Sequence, residues 1–187
     1  DNPGYWYRLN IFRAALGLDR AHEIGLTGVH SVVSSRKTLN RLGISEVVAF
    51  DTLNDSSQTL RRDAEKLVAT IKYPEDILGL QLPHGFPPSF LYDVILKRQR
   101  AAIVDVSDPR VQGDVYEFLS AIRSAERSIE LFDPDIVCLS HAINARDSAL
   151  AWLSAQEGRN PVVLFGNYGV PRFGRIKQPE DILDYMD

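Results

Sequence analysis

Cysteine is nearly absent from this chain. Its single cysteine, Cys138, excludes an internal disulfide framework and lies inside an apolar run, where it reads as a small core residue. No apolar run approaches the roughly 20 residues needed to cross a bilayer, so neither a transmembrane segment nor a signal peptide is expected. Basic excess is missing too: 21 Lys and Arg stand against 25 Asp and Glu, for a net charge of −4, which argues against nucleic acid as a partner. The motifs of common chemistries are equally absent. There is no CxxC pair, no HExxH, no GxSxG and no GxxxxGK[ST], and "GLTGVHS" lacks the third glycine of a dinucleotide-binding turn. No metal site and no cofactor are therefore expected.

What is present suffices for a folded domain. The chain has 187 residues and 44% hydrophobic composition, enough to bury one sizeable core. It begins Asp1-Asn2-Pro3 and stops at Asp187 just after a helix-start signal, which suggests one domain, residues 1–187, cut from the N-terminal half of a longer two-domain protein.

Helical stripes alternate with short apolar runs. Tyr5, Leu9, Phe12 and Leu16 share one helical face between Pro3 and Gly17, and Ser31 to Leu42 reads as a second helix closed by Gly43. Leu60, Ala64, Leu67, Val68 and Ile71 make another stripe, and Val115, Phe118, Leu119, Ile122 and Ile129 a longer one. Strands are expected at about residues 22–28, 46–50, 135–140 and 161–166, the last two being near-continuous apolar runs of the kind buried on both faces of a parallel sheet. Asn144 suits the N-cap of the helix between them, with Asp147 three residues on, and Trp152 falls on that helix's buried face with Ala145, Ala149 and Leu153 at neighbouring helical positions. The order βαβ, repeated, predicts a Rossmann-like three-layer α/β domain with an open parallel sheet and helices on both faces.

Two further stretches stand out. The pentapeptide "PEDIL" occurs at Pro74–Leu78 and again at Pro179–Leu183, and reads as local convergence on a favourable helix start. "LPHGFPPS" reads as a loop in which His84 is structural or solvent-exposed.

In an open α/β sheet, ligands bind beyond the carboxyl ends of the strands. The strand assignments bring Thr27 to His30, Asp51, Ser140 to Asn144 and Gly166 to Arg172 to that edge. His30 and His141 each follow a strand and precede a helix. Each is either a histidine held by loop hydrogen bonds or a working group, since imidazole accepts a proton near neutral pH. Asn144, Asn167, Tyr168 and Arg172 bring hydrogen-bonding, aromatic and cationic groups to the same edge. Tyr168 alternatively packs over the sheet edge, and Arg172 and Arg175 are alternatively solvated.

The segment "ELFDPDIVCLSHAINARDSALAWLSAQEGRNPVVLFGNYG" resembles the later half of the N-terminal domain of GT-B-type glycosyltransferases, particularly bacterial ones that build surface or capsular polysaccharide. The likeness covers element order along most of the chain and is closest at residues 130–185. It implies an acceptor-binding N-terminal domain that takes a sugar or glycan acceptor, with the nucleotide-sugar donor held mainly by a second domain, so that this portion alone is inactive. By position in "LTGVHS", it carries the catalytic base to His30, and it makes Ser140, His141, Asn144, Asn167, Tyr168 and Arg172 the substrate-binding set. A cytoplasmic location, extending to the periphery of the inner membrane, goes with that reading. The alternative, of a different class, is a non-catalytic α/β module that binds a small ligand or a partner protein.

Overall fold

A computed structural model describes residues 23–27, 46–50, 57–139, 144–165 and 172–182. They form strands β1 (Glu23–Thr27), β2 (Glu46–Phe50), β3 (Ile136–Leu139), β4 (Asn160–Phe165) and β5 (Arg172–Arg175). The α-helices are α1 (Gln58–Thr70), α2 (Pro88–Gln99), α3 (Arg110–Phe132) and α4 (Ala145–Gln156), with 3₁₀ turns at Pro74–Gly79, Pro83–Gly85 and Pro179–Ile182. The helices expected at Tyr5–Leu16 and Ser31–Leu42 lie outside the described residues.

The strands run in the order β2-β1-β3-β4-β5. β1 pairs in parallel with β2 and β3, and β3 with β4, Cys138 standing opposite Val162. β5 returns antiparallel to β4, with Leu164 opposite Phe173.

The expected Rossmann-like three-layer domain with an open parallel sheet is not what these elements build. The described residues are mostly helical: no strand exceeds 6 residues, whereas α3 alone has 23. The sheet is mixed, because β4 and β5 close it with an antiparallel pair. The layering differs as well. α4 packs on β3 and β4 and also on α3, while α1 and α2 pack on α3. Among the described residues the layers at β3 and β4 therefore run sheet, helix, helix.

The composition of α4 is the physical reason. Every residue from Asp147 to Ala155 is buried, and most are Ala, Ser or Leu, so the helix has no wet side and fits between two partners. α3 is the second consequence. Its apolar stripe of Val115, Phe118, Ile122 and Ile129 is buried, and so are Ala121, Ser124, Ala125 and Ser128 beside it, which widens the covered face to take α1, α2 and α4 together.

Local signals set the ends of these helices. Ser57 caps α1 by accepting the Leu60 N–H at 3.5 Å. Asn144 caps α4 by accepting the Asp147 N–H at 2.8 Å and donating to the Asp147 carboxylate at 3.0 Å. Both "PEDIL" segments open as 3₁₀ turns of one design. Asp76 Oδ2 accepts the N–H groups of Lys72 and Tyr73, both at 2.8 Å, and Asp181 Oδ2 accepts those of Lys177 and Gln178 at 2.9 and 3.1 Å. Ile77 and Ile182, one residue after each aspartate, are both buried.

An aromatic cluster ties the turns to the helices. Phe86 is fully buried and meets Phe90, Phe118 and Trp152 edge to face, with centroid separations of 5.4, 5.4 and 5.5 Å. Trp152 is 6% exposed, on the buried side of α4 as its helical position indicates.

Candidate functional site

A cleft of about 370 Å³ opens where the start of α1, the Pro83–Gly85 turn and the middle of α3 meet. α1 contributes Ser57, Thr59, Leu60 and Asp63, and the turn contributes Pro83 and His84. Leu119 and Ile122 of α3 are buried and supply an apolar floor, while Arg123 and Glu126 stand at its rim.

The ionic groups are ordered among themselves. Arg123 and Glu126 lie three residues apart, the spacing that makes neighbours on a helix, and Arg123 Nη1 reaches Glu126 Oε2 at 2.8 Å. His84 Nε2 stands 3.4 Å from Glu126 Oε1 on the other side. Glu126 thus stands between the Arg123 guanidinium and the His84 imidazole. Asp63 is less engaged. Its ionic partner among the described residues, Lys66, lies 3.5 Å away with a side chain 79% exposed. Among the residues that line the cleft, two carboxylates stand against one guanidinium, an excess of one negative charge in the lining that Lys66 meets from outside it.

His84 sits here through unusual backbone. Its φ of 57° and ψ of 22° are left-handed, and Gly85 follows at φ 63°. The turn is pinned by its neighbours: Leu82 and Phe86 on either side are buried, and the His84 carbonyl accepts from Trp152 Nε1 at 3.2 Å and Gln156 Nε2 at 2.9 Å.

Of the residues given a site role from the sequence, Asn144 is described with its side chain, and it does not line this cleft. His30, Ser140, His141, Asn167 and Tyr168 lie outside the described residues. Asn144 is described, and both ends of its carboxamide are engaged in capping α4. Arg172 opens β5, its backbone opposite Phe165 in the antiparallel ladder, so this position belongs to a strand where a polar loop was expected. Conversely, the sequence reading took His84 as structural or solvent-exposed and passed over Asp63, Arg123 and Glu126, all four of which line the cleft. The pair at i, i+3 was readable on α3. The "PHG" turn also signalled a tight bend, but nothing local linked either to the start of α1, which precedes α3 by some 50 residues.

Among the described residues, no group of three or more His, Cys, Asp and Glu side chains is placed to hold a metal ion, and no helix is long and apolar enough to cross a membrane. Comparison of the chain with models of protein families, with curated proteins and with solved structures returns no match.

Proposed function

We propose that this chain is a ligand-binding module whose cleft takes a small polyhydroxylated molecule, neutral or cationic. The observation that carries the reading is the make-up of the cleft: carboxylate, guanidinium and imidazole groups around a floor of Leu119 and Ile122. Carboxylates and guanidinium groups present paired acceptors and donors that suit vicinal hydroxyls, and an apolar floor suits the C–H face of a sugar ring. A volume of about 370 Å³ falls in the range of small-molecule sites and suits a compact ligand. The excess negative charge disfavours anions.

The test is an amide chemical-shift titration with D-glucose, D-glucosamine and D-glucuronate at millimolar concentration. The first two are expected to move the signals of Asp63, His84 and Arg123, and glucuronate is not. Silence of the cleft to all three sugars overturns the reading.

A narrower reading makes the ligand a glycan acceptor and the chain the acceptor-binding portion of a GT-B-type glycosyltransferase of surface polysaccharide. The observation favouring it is the β3–α4–β4 unit, in which parallel strands flank an Asn-capped helix within the segment that carries the resemblance. The corrected layering removes its architectural premise, so it stands on that segment alone. In this reading His30 is the base, Ser140, His141, Asn144, Asn167, Tyr168 and Arg172 contact the acceptor, the nucleotide-sugar donor binds mainly elsewhere, and the protein works in the cytoplasm. Nucleotide release from a panel of nucleotide sugars by the full-length protein tests it. A loss of about 10²–10⁴-fold in His30→Ala is expected, the usual worth of a general base. Unchanged turnover in that variant refutes the role of His30.

A further inference from the structure

The turn that carries His84 combines strain, a clamp and exposure. Left-handed backbone is disfavoured for residues with a Cβ, less so for histidine than for most, whereas glycine adopts it without steric cost, so glycine is the residue that this φ and ψ favour most. Histidine nevertheless occupies the position. Its carbonyl is held by two donors from a single helix, α4, 68 and 72 residues further along the chain. Its imidazole is directed to the opposite element, Glu126 of α3, and remains 37% exposed at the cleft. Backbone outliers of this kind persist where surrounding structure over-determines them, and they concentrate where a side chain must be presented to a ligand.

We propose that Trp152 and Gln156 are positioning residues that clamp the Pro83–Gly85 turn so that the His84 imidazole is presented to a ligand in the cleft. The inference rests on reading the cleft as a ligand site, and it deepens that reading by naming the contact and what holds it. The Trp152 indole N–H, bonded to the His84 carbonyl, then becomes a reporter of cleft occupancy, although Trp152 itself does not line the cleft.

Three measurements on the whole chain judge it. In thermal unfolding, His84→Gly should have a higher midpoint than His84→Ala, because glycine removes the strain and alanine keeps it; a lower midpoint overturns the premise of strain. In imidazole ¹H–¹⁵N spectra, Gln156→Ala and the isosteric Gln156→Glu, which lacks the donor, should shift the His84 nitrogens and the Trp152 indole signal together. Gln156 is exposed, and its replacement should leave the unfolding midpoint within a few degrees. Imidazole signals identical to those of the wild type in both variants refute the clamp. In a titration of the wild type with D-glucosamine, the His84 and Trp152 signals should move with those of Asp63 and Arg123. Movement of Asp63 and Arg123 alone refutes the inference and leaves the ligand site standing, whereas no movement anywhere in the cleft overturns the ligand site and the inference with it.

Discussion

At the scale of the residue, two aspartates show how little sequence a local structure needs. Asp76 and Asp181 each accept two backbone N–H groups, and those hydrogen bonds hold both carboxyls below their ordinary pKa. In Asp76 the Lys72 N–H contributes most and the Tyr73 N–H next; in Asp181 the order is Lys177, then Gln178. A carboxyl whose folded pKa is depressed adds stability that is complete above its unfolded value, about 3.9, and is lost as pH falls through the lower folded value. The variant Asp76→Ala/Asp181→Ala should therefore be less stable than wild type at pH 7, with the gap narrowing below about pH 4. Denaturant unfolding at stepped pH checks this, and a gap that stays constant or widens in acid would contradict the capping role. Both aspartates are only half-buried, so the effect is one of direction and pH window.

At the scale of the element, the contact between α2 and α3 turns on one cation. Arg98 Nη1 reaches Asp114 Oδ1 at 2.5 Å, and its other terminal nitrogen bonds Glu117. Asp114 is 2% exposed, and its Oδ2 has no hydrogen-bond partner among the described residues. Glu117 first, and Asp114 after the opposing effect of burial, hold the Arg98 guanidinium above its already high pKa. The arginine thus neutralises a carboxylate that the α2–α3 interface has removed from water. Losing one partner of a fully buried pair costs about 3–5 kcal/mol, and the half-exposed Arg98 brings the expectation for Arg98→Ala down to about 2 kcal/mol. Arg98→Ala/Asp114→Ala should be less damaging than the sum of the single variants, because no buried charge is left behind. A double-mutant cycle measures this, and strict additivity would show that the two groups do not act as a pair.

At the scale of the whole molecule, α4 is the element on which the rest depends. It is buried from Asp147 to Ala155, lies between the β3–β4 part of the sheet and α3, and sends Trp152 and Gln156 to the turn that borders the cleft. Amide exchange should follow that placement. The α4 amides are expected to exchange slowest, by global opening, whereas those of α1, which has Ala64 as its one buried residue, open locally and faster. Exchange in α4 as fast as in α1 would remove α4 from the centre of the fold.

Features that depend on neighbours a few residues apart were legible along the chain. Continuous apolar runs marked β3 and β4, and Asn144 with Asp147 marked the start of α4. The "PEDIL" pair reads as convergence, and each copy opens as the same 3₁₀ turn because proline, acid and apolar residue meet the same local requirements. β5 escaped notice because "RFGR" carries little apolar content, and its partner strand supplies what its own residues lack. Layering lay beyond the sequence for a different reason. An apolar helix announces that it will be buried, and nothing in its own residues says whether a sheet, a helix or both will cover it. The tertiary structure decided that α4 is covered by both, and thereby the departure from a three-layer design. It alone decided the cleft as well, whose ionic groups come from positions 63, 84, 123 and 126 on three separate elements. Their meeting depends on how α1, α3 and a clamped turn pack, a long-range outcome of core burial that no local pattern encodes.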